Sequence, residues 1–153
     1  MMDIVIGAVG SLIATGLITF VAKWLWPNIN DRCLYKGIRI EGVWDLTEER
    51  SGGIETVGKL ELKQQGCRLR GTSVRTKTRD GQHSQRKFHY YGSISGNQVT
   101  MIFEDAQGVG FDTGTNVFTV YNDGKTMVGM TTFHGKAENK IVSEPRKLLK
   151  AVS

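Results

Sequence analysis

The sequence predicts an all-β fold, a small eight-stranded antiparallel up-and-down β-barrel, preceded by one N-terminal transmembrane helix. Short bursts of alternating apolar and polar residues run from Ile38 to the end of the chain, separated by glycine-containing turn dipeptides. Glycines recur on the apolar face of those bursts, and no amphipathic helical pattern of any length interrupts them. A nearly unbroken apolar run, Ile4 to Trp26, stands before them with Lys23 as its single charge.

The run comes first in the chain. A helix rises about 1.5 Å per residue, so this length suffices for a hydrocarbon core of roughly 30 Å. Trp24 and Trp26 stand where an interfacial aromatic belt sits, Lys23 can snorkel beside them, and Pro27 with Asn28, Asn30 and Asp31 stops the helix. A cleaved signal peptide is the alternative. It wants a basic leader, a shorter apolar stretch and a small-residue cleavage site; Met1-Met2-Asp3 and the bulky Trp24-Leu25-Trp26 supply none of these. Lys23, Arg32, Lys36 and Arg39 follow the run, against only Asp3 and the amine before it. That bias places the C-terminal domain in the cytoplasm, single-pass. Gly7, Gly10, Ser11, Ala14 and Thr15 recur at helical spacing, a ridge of small residues suited to helix packing and a homo-oligomer; glycine and alanine are also common in membrane helices generally. These features divide the chain into a transmembrane segment over 1–27, a linker over 28–37 and a barrel domain over 38–153.

Eight strand-like segments follow. Ile40, Gly42, Trp44 and Leu46 share one face of the first, which turns at Ser51-Gly52-Gly53. Gly58, Leu60 and Leu62 mark the second, ending at Gln65-Gly66, and Cys67, Leu69, Gly71 and Ser73 mark the third, followed by Asp80-Gly81. The fourth carries Phe88, Tyr90, Gly92 and Ile94 and turns at Gly96-Asn97; Val99, Met101 and Phe103 mark the fifth. A glycine-rich link from Ala106 to Gly114 leads to Val117, Thr119 and Tyr121 in the sixth. Asn122-Asp123-Gly124 then turns into Met127, Gly129, Thr131 and Phe133. The last segment, Ile141 to Leu149, contains Pro145 and is predicted to be irregular or helical toward its end. Short links imply antiparallel neighbours, and closing the meander removes exposed edges. The inward glycines Gly42, Gly58, Gly71, Gly92 and Gly129 suit the tight coiling of a small barrel. A β-sandwich is the alternative architecture.

The 153-residue chain carries a net charge of +5, nearly all of it after the apolar run. That balance suits an anionic ligand or an anionic leaflet, and equally mere solubility. Cys33 and Cys67 lack metal-ligand spacing and read as free buried thiols. His83, His89 and His134 have no metal-binding spacing, so no metal is expected. No nucleophile elbow or Walker loop occurs, Gly108-Val109-Gly110 reads as a flexible loop, and Glu48-Glu49 and Glu104-Asp105 read as solvated strand ends. No enzymatic chemistry and no cofactor are expected.

Binding is better supported. A barrel of this size is either filled by side chains or holds one small ligand. Trp44, Phe88, Tyr90, Phe103, Tyr121 and Phe133 are candidate interior aromatics, with polar Ser73, Thr119 and Thr131 among them. The same residues equally suit a filled core. Arg68 to Lys87 is the most basic stretch, and Arg75, Lys77 and Arg86 share the inward parity near the open end. The candidate ligand set is therefore Trp44, Ser73, Arg75, Lys77, Arg86, Tyr90, Tyr121 and Thr131. No motif for sequence-specific nucleic-acid recognition is present.

Gly42-Val43-Trp44 resembles the Gly-x-Trp signature that opens lipocalin-type barrels, which implies an apolar cavity plugged by the tryptophan at its closed end. The layout of the whole chain, membrane segment, short basic linker and minimal barrel, resembles the membrane-anchored β-barrel effectors of bacterial CBASS anti-phage systems (the CD-NTase-associated protein 15 family). That resemblance implies recognition of a cyclic dinucleotide made by a partner nucleotidyltransferase, then oligomerisation and disruption of the inner membrane. Members characteristically carry two membrane helices; this chain has one such run. The alternatives are a tethered lipocalin-like carrier of an apolar molecule and a filled scaffold for protein partners.

Overall fold

The computed structural model describes residues 15–25, 36–50, 52–78, 81–107, 112–121, 124–135 and 139–151. The chain divides into two compact units, Met1–Lys36 and Gly37–Ser153. In the first, residues 15–20 are α-helical and Val21–Leu25 continues as a π-helix. Thr19 Oγ1 donates to the Thr15 carbonyl at 2.8 Å, a back-bond that competes with the helical ladder just before it widens. Among the described residues no helix is long and apolar enough to cross a membrane. The rest of the predicted span, including Gly7, Gly10, Ser11, Ala14 and Trp26, lies outside the described residues. So do Pro27, Arg32, Cys33, Arg79, Asp80, Gly108 to Gly110 and Asn122-Asp123.

The second unit is a closed antiparallel barrel in sequence order, which settles barrel against sandwich. Its strands are β1 (Gly42–Arg50), β2 (Gly53–Gln65), β3 (Arg68–Lys77), β4 (His83–Ser95), β5 (Gln98–Asp105), β6 (Thr113–Val120), β7 (Thr126–Gly135) and β8 (Lys140–Lys150). Both its closed ladder and its core lie within residues 37–153, so this segment has what an independently folding domain requires.

One end is sealed. Ile40, just before β1, is fully buried, and its amide donates to Gln64 Oε1 at 2.8 Å. Gln64 Nε2 bonds the carbonyls of Ile38 at 3.1 Å and Gly66 at 2.9 Å, so one buried amide satisfies the backbone that folds across the opening. Trp44 is fully buried beside it and donates its indole N–H to the Ile40 carbonyl at 2.8 Å. Leu62, Leu69, Ile94, Val99, Val120 and Met127 complete the packed floor.

Inward glycines let neighbouring strands approach. A Cβ at Gly92 would lie 2.0 Å from the Thr100 carbonyl oxygen, and one at Gly129 1.9 Å from that of Val117. Gly42 differs from the pattern expected of it. Its φ of +125° is a conformation that favours glycine, so backbone geometry rather than interior crowding accounts for it.

Four local expectations are corrected. β8 is a regular strand through Pro145, pairing with β7 from Lys140 to Leu149. β1 pairs with β8 only from Trp44↔Lys150 to Thr47↔Lys147, so the missing proline N–H falls where that ladder has ended. The sixth strand faces the other way: Asn116, Phe118 and Val120 are buried, Val117 is exposed, and Thr119 bonds Gln98. Gly114 belongs to this strand, not to the link before it. Cys67 is an exposed free thiol, because β3 begins one residue later and leaves it in the turn with Gly66.

Gly129→Ala should cost residues 37–153 at least about 3 kcal/mol, since the added methyl meets backbone that only strand separation can move. Gly96→Ala at a turn φ of +59° with open space around it should cost about 1–2 kcal/mol. Urea unfolding of the two variants checks the order, and a larger loss for Gly96→Ala would contradict the close-approach account.

Candidate functional site

The strands that converge away from the sealed floor enclose a cavity of about 390 Å³, within the usual range of small-molecule pockets. It is bounded by two walls of different chemistry. One, from β8, β1 and β3, carries Arg146, Glu48 and Arg75; the other, from β4 to β7, carries aromatic rings and an amide together with Arg86.

The charged wall is organised on Glu48, whose side chain is 9% exposed. β2 holds one extra residue opposite the Leu46–Thr47 step, after which the register resumes with Glu48 opposite Glu55. On the next pair of strands Arg75 stands opposite Arg86. Each is a like-charge pair that would be unfavourable alone. The cations are instead shared among carboxylates. Arg75 Nη2 donates to Glu48 Oε1 at 2.5 Å and Arg146 Nη1 to the same oxygen, while Arg146 Nη2 bonds Glu144 at 2.8 Å. Lys77 pairs with Glu55. Arg86 bonds Asp105 at 2.8 Å and also Asp112, joining the end of β5 to the start of β6. Glu48 and Asp105 are thus buried partners of arginines, not the solvated strand ends that their positions suggested.

Across the cavity, Phe103 stacks on Tyr90 and meets Phe88 edge-on, both at 5.8 Å between ring centres. The Arg86 guanidinium lies 5.2 Å over the Phe88 ring. Thr131 donates its hydroxyl to Asn116 Oδ1 at 2.6 Å. Asn116 Nδ2 and Ser73 Oγ then have no hydrogen-bond partner, although these residues are only 4% and 1% exposed. Both line the cavity. A buried polar atom costs about 1–3 kcal/mol when neither protein, water nor ligand meets it.

Burial disfavours the charge on Arg75 and lowers its pKa. Glu48 opposes that shift, Arg146 reinforces it and Glu144 opposes it. Burial works against Arg86 too, but its bonds to Asp105 and Asp112 prevail and raise its pKa. Burial raises the pKa of the Tyr90 phenol, against the smaller downward pull of the nearby Ser73 hydroxyl and the Arg146 and Arg75 charges. The Ser73 hydroxyl lies close enough to affect Tyr90 but makes no hydrogen bond of ordinary geometry.

The cavity brings together Ser73, Arg75, Arg86, Tyr90 and Thr131 of the residues selected from the sequence, with Phe88, Phe103 and Phe133. Trp44 is in the floor and is not part of the lining. Lys77 lies at the strand end on Glu55. Tyr121 is 53% exposed beyond β6, a consequence of the reversed parity of that strand. Glu48, Asn116, Phe118 and Arg146 are the additions. Asn116 was legible as the polar member of the Gly114, Asn116, Phe118, Val120 alternation, and Arg146 as the residue two before buried Leu148.

No family model and no curated protein matches this chain.

Above about pH 10 tyrosines of the unfolded chain ionise while the folded Tyr90 keeps its proton. The folded state then binds more protons, and its stability falls as pH rises through that window; below it Tyr90 contributes no slope. Tyr90→Phe should therefore lose less stability than the parent between about pH 9.5 and pH 11.5. Denaturant midpoints across that range check this, and identical slopes would contradict it.

Proposed function

We propose that the barrel is the ligand-sensing domain of a membrane-anchored effector, and that its ligand is a cyclic dinucleotide. In this reading one base enters against the wall that carries the rings and Asn116, and the phosphates stay with the arginines at the mouth. The reading is supported by the pair of unmet polar atoms, Ser73 Oγ and Asn116 Nδ2, on residues that line a cavity with stacked rings and three arginines. A base offers acceptors and donors at its edge and a face for stacking, which matches that lining.

The anchor belongs to the same proposal. The apolar side chains of Leu17, Ile18 and Phe20 on the described helical turns are exposed, an arrangement that lipid favours and water does not. Ligand would bind the assembled state more tightly than the resting one, since only differential affinity shifts an equilibrium. Membrane helices would then pack through Gly7, Gly10, Ser11 and Ala14 and breach the inner membrane. The ligand's source would be a partner nucleotidyltransferase.

A second reading, a tethered carrier of an apolar molecule, is favoured by one observation: the mouth arginines already have carboxylate partners. The two readings divide on charge. Arg75→Gln should abolish binding of a nucleotide and leave uptake of an uncharged apolar molecule intact.

Cyclic dinucleotides at about 100 times their dissociation constant should stabilise residues 37–153 by roughly 2.7 kcal/mol, a shift of several degrees. A flat response across a saturating panel would sink the nucleotide reading. In the full chain, Gly10→Leu should keep ligand binding and lose vesicle leakage; undiminished leakage would remove the helix-packing step.

A further inference from the structure

We propose that Glu48 holds, in the ligand-free barrel, the place of the ligand's anionic group, and that an entering anion displaces it from Arg75 and Arg146. The inference rests on reading the cavity as a ligand site and says which of its atoms the ligand must contend with.

Two guanidiniums from different strands converge on a single atom, Glu48 Oε1. Arg75 is aimed there by its Nε–H bond to the Lys77 carbonyl at 2.7 Å, and Arg146 by its second bond to Glu144. Convergent, oriented guanidiniums are how proteins bind carboxylate and phosphate groups. Here an internal carboxylate fills that position.

Electrostatics favours exchange over addition. Arg75 and Arg146 repel one another in a partly buried setting, so the pair needs an anion at all times. A ligand anion placed beside Glu48 and Glu144 would set three negative groups against two positive ones. The same anion in place of Glu48 keeps both arginines compensated. Glu48 also lies where the seam between the first and last strands has lost its backbone ladder. The β1–β8 ladder stops at Thr47↔Lys147, one residue earlier, so beyond it these two strands face each other without paired backbone. The Glu48–Arg146 ion pair bridges them there. Anion exchange therefore also releases a tie across the barrel seam at its mouth.

The test uses two probes on residues 37–153: phenyl phosphate, which joins a ring to an anion, and benzyl alcohol, which has the ring without the charge. Glu48→Gln should bind phenyl phosphate about tenfold tighter than the parent, because the competing internal anion is gone. Benzyl alcohol should bind both proteins alike, and Arg146→Gln added to Glu48→Gln should remove the gain. Equal or weaker binding of phenyl phosphate by Glu48→Gln, with benzyl alcohol bound alike by both, overturns the exchange and leaves the cavity reading standing. Failure of every folded variant to bind either probe overturns both. Should Glu48→Gln not fold, the Nε–H resonances of Arg75 and Arg146 in the parent decide. They should move with phenyl phosphate and stay with benzyl alcohol, and immobility in both titrations overturns the exchange.

Discussion

Closure of the barrel between its first and last strands is the constraint on which the rest depends. Every other neighbouring pair is joined by a hairpin or a short link, whereas β1 and β8 meet through only Trp44 to Thr47 against Lys150 to Lys147. At the floor this short ladder is backed by Trp44, Ile40 and the Gln64 amide, which tie the incoming backbone to the second strand. Toward the mouth the backbone pairing gives out. Thr47 Oγ1 still reaches the Lys147 carbonyl at 2.7 Å, and then the ion pairs of Glu48, Arg146 and Glu144 take over. Charged side chains thus substitute for a ladder at the one place where the wall is weakest.

The two walls of the cavity follow from that asymmetry. Around β4 to β7 the ladders are continuous, and the glycines Gly92, Gly114 and Gly129 bring strands close enough to turn large rings inward. Gly114 makes the trade visible: a Cβ there would lie 2.6 Å from the ring of Phe103. Around β8, β1 and β3 the interior is held by charge instead, and like charges stand opposite one another where β1 pairs with β2 and where β3 pairs with β4. An interior so divided presents aromatic rings and an amide on one side and arginine–carboxylate ion pairs on the other.

Much of this fold was legible in the sequence because alternation and turn glycines act locally. The inward tryptophan of β1, the hairpin turns at Gly66 and Gly96 and the inward glycines of β2, β3, β4 and β7 all follow from period two and from φ > 0 at the turns. The sixth strand was misread because Val117, Thr119 and Tyr121 are as strand-like as Asn116, Phe118 and Val120. Only pairing decides, with Phe118 opposite Gly129 and Gly114 opposite Phe133. Pro145 misled for a similar reason, since its tolerance depends on where a non-local ladder ends. In the site, residues of the right parity on β3 and β4 were found, and those whose role arises across the seam were not. Glu48 lies 98 positions from Arg146 in the chain, and nothing local distinguishes it from exposed Glu49.

In the proposed ligand-sensing role the interior is kept polar and partly unfilled for a ligand, at a cost to the stability of the empty domain. Replacing Ser73 by Ala, Asn116 by Leu and Thr131 by Val together removes the two unmet atoms and the hydroxyl that the amide serves. The measurement is the urea midpoint of this triple variant of residues 37–153 against its parent. A higher midpoint is predicted, because apolar groups of similar shape relieve buried polar atoms that have no partner. A lower midpoint would show that these polar groups stabilise the empty barrel, and would contradict the account.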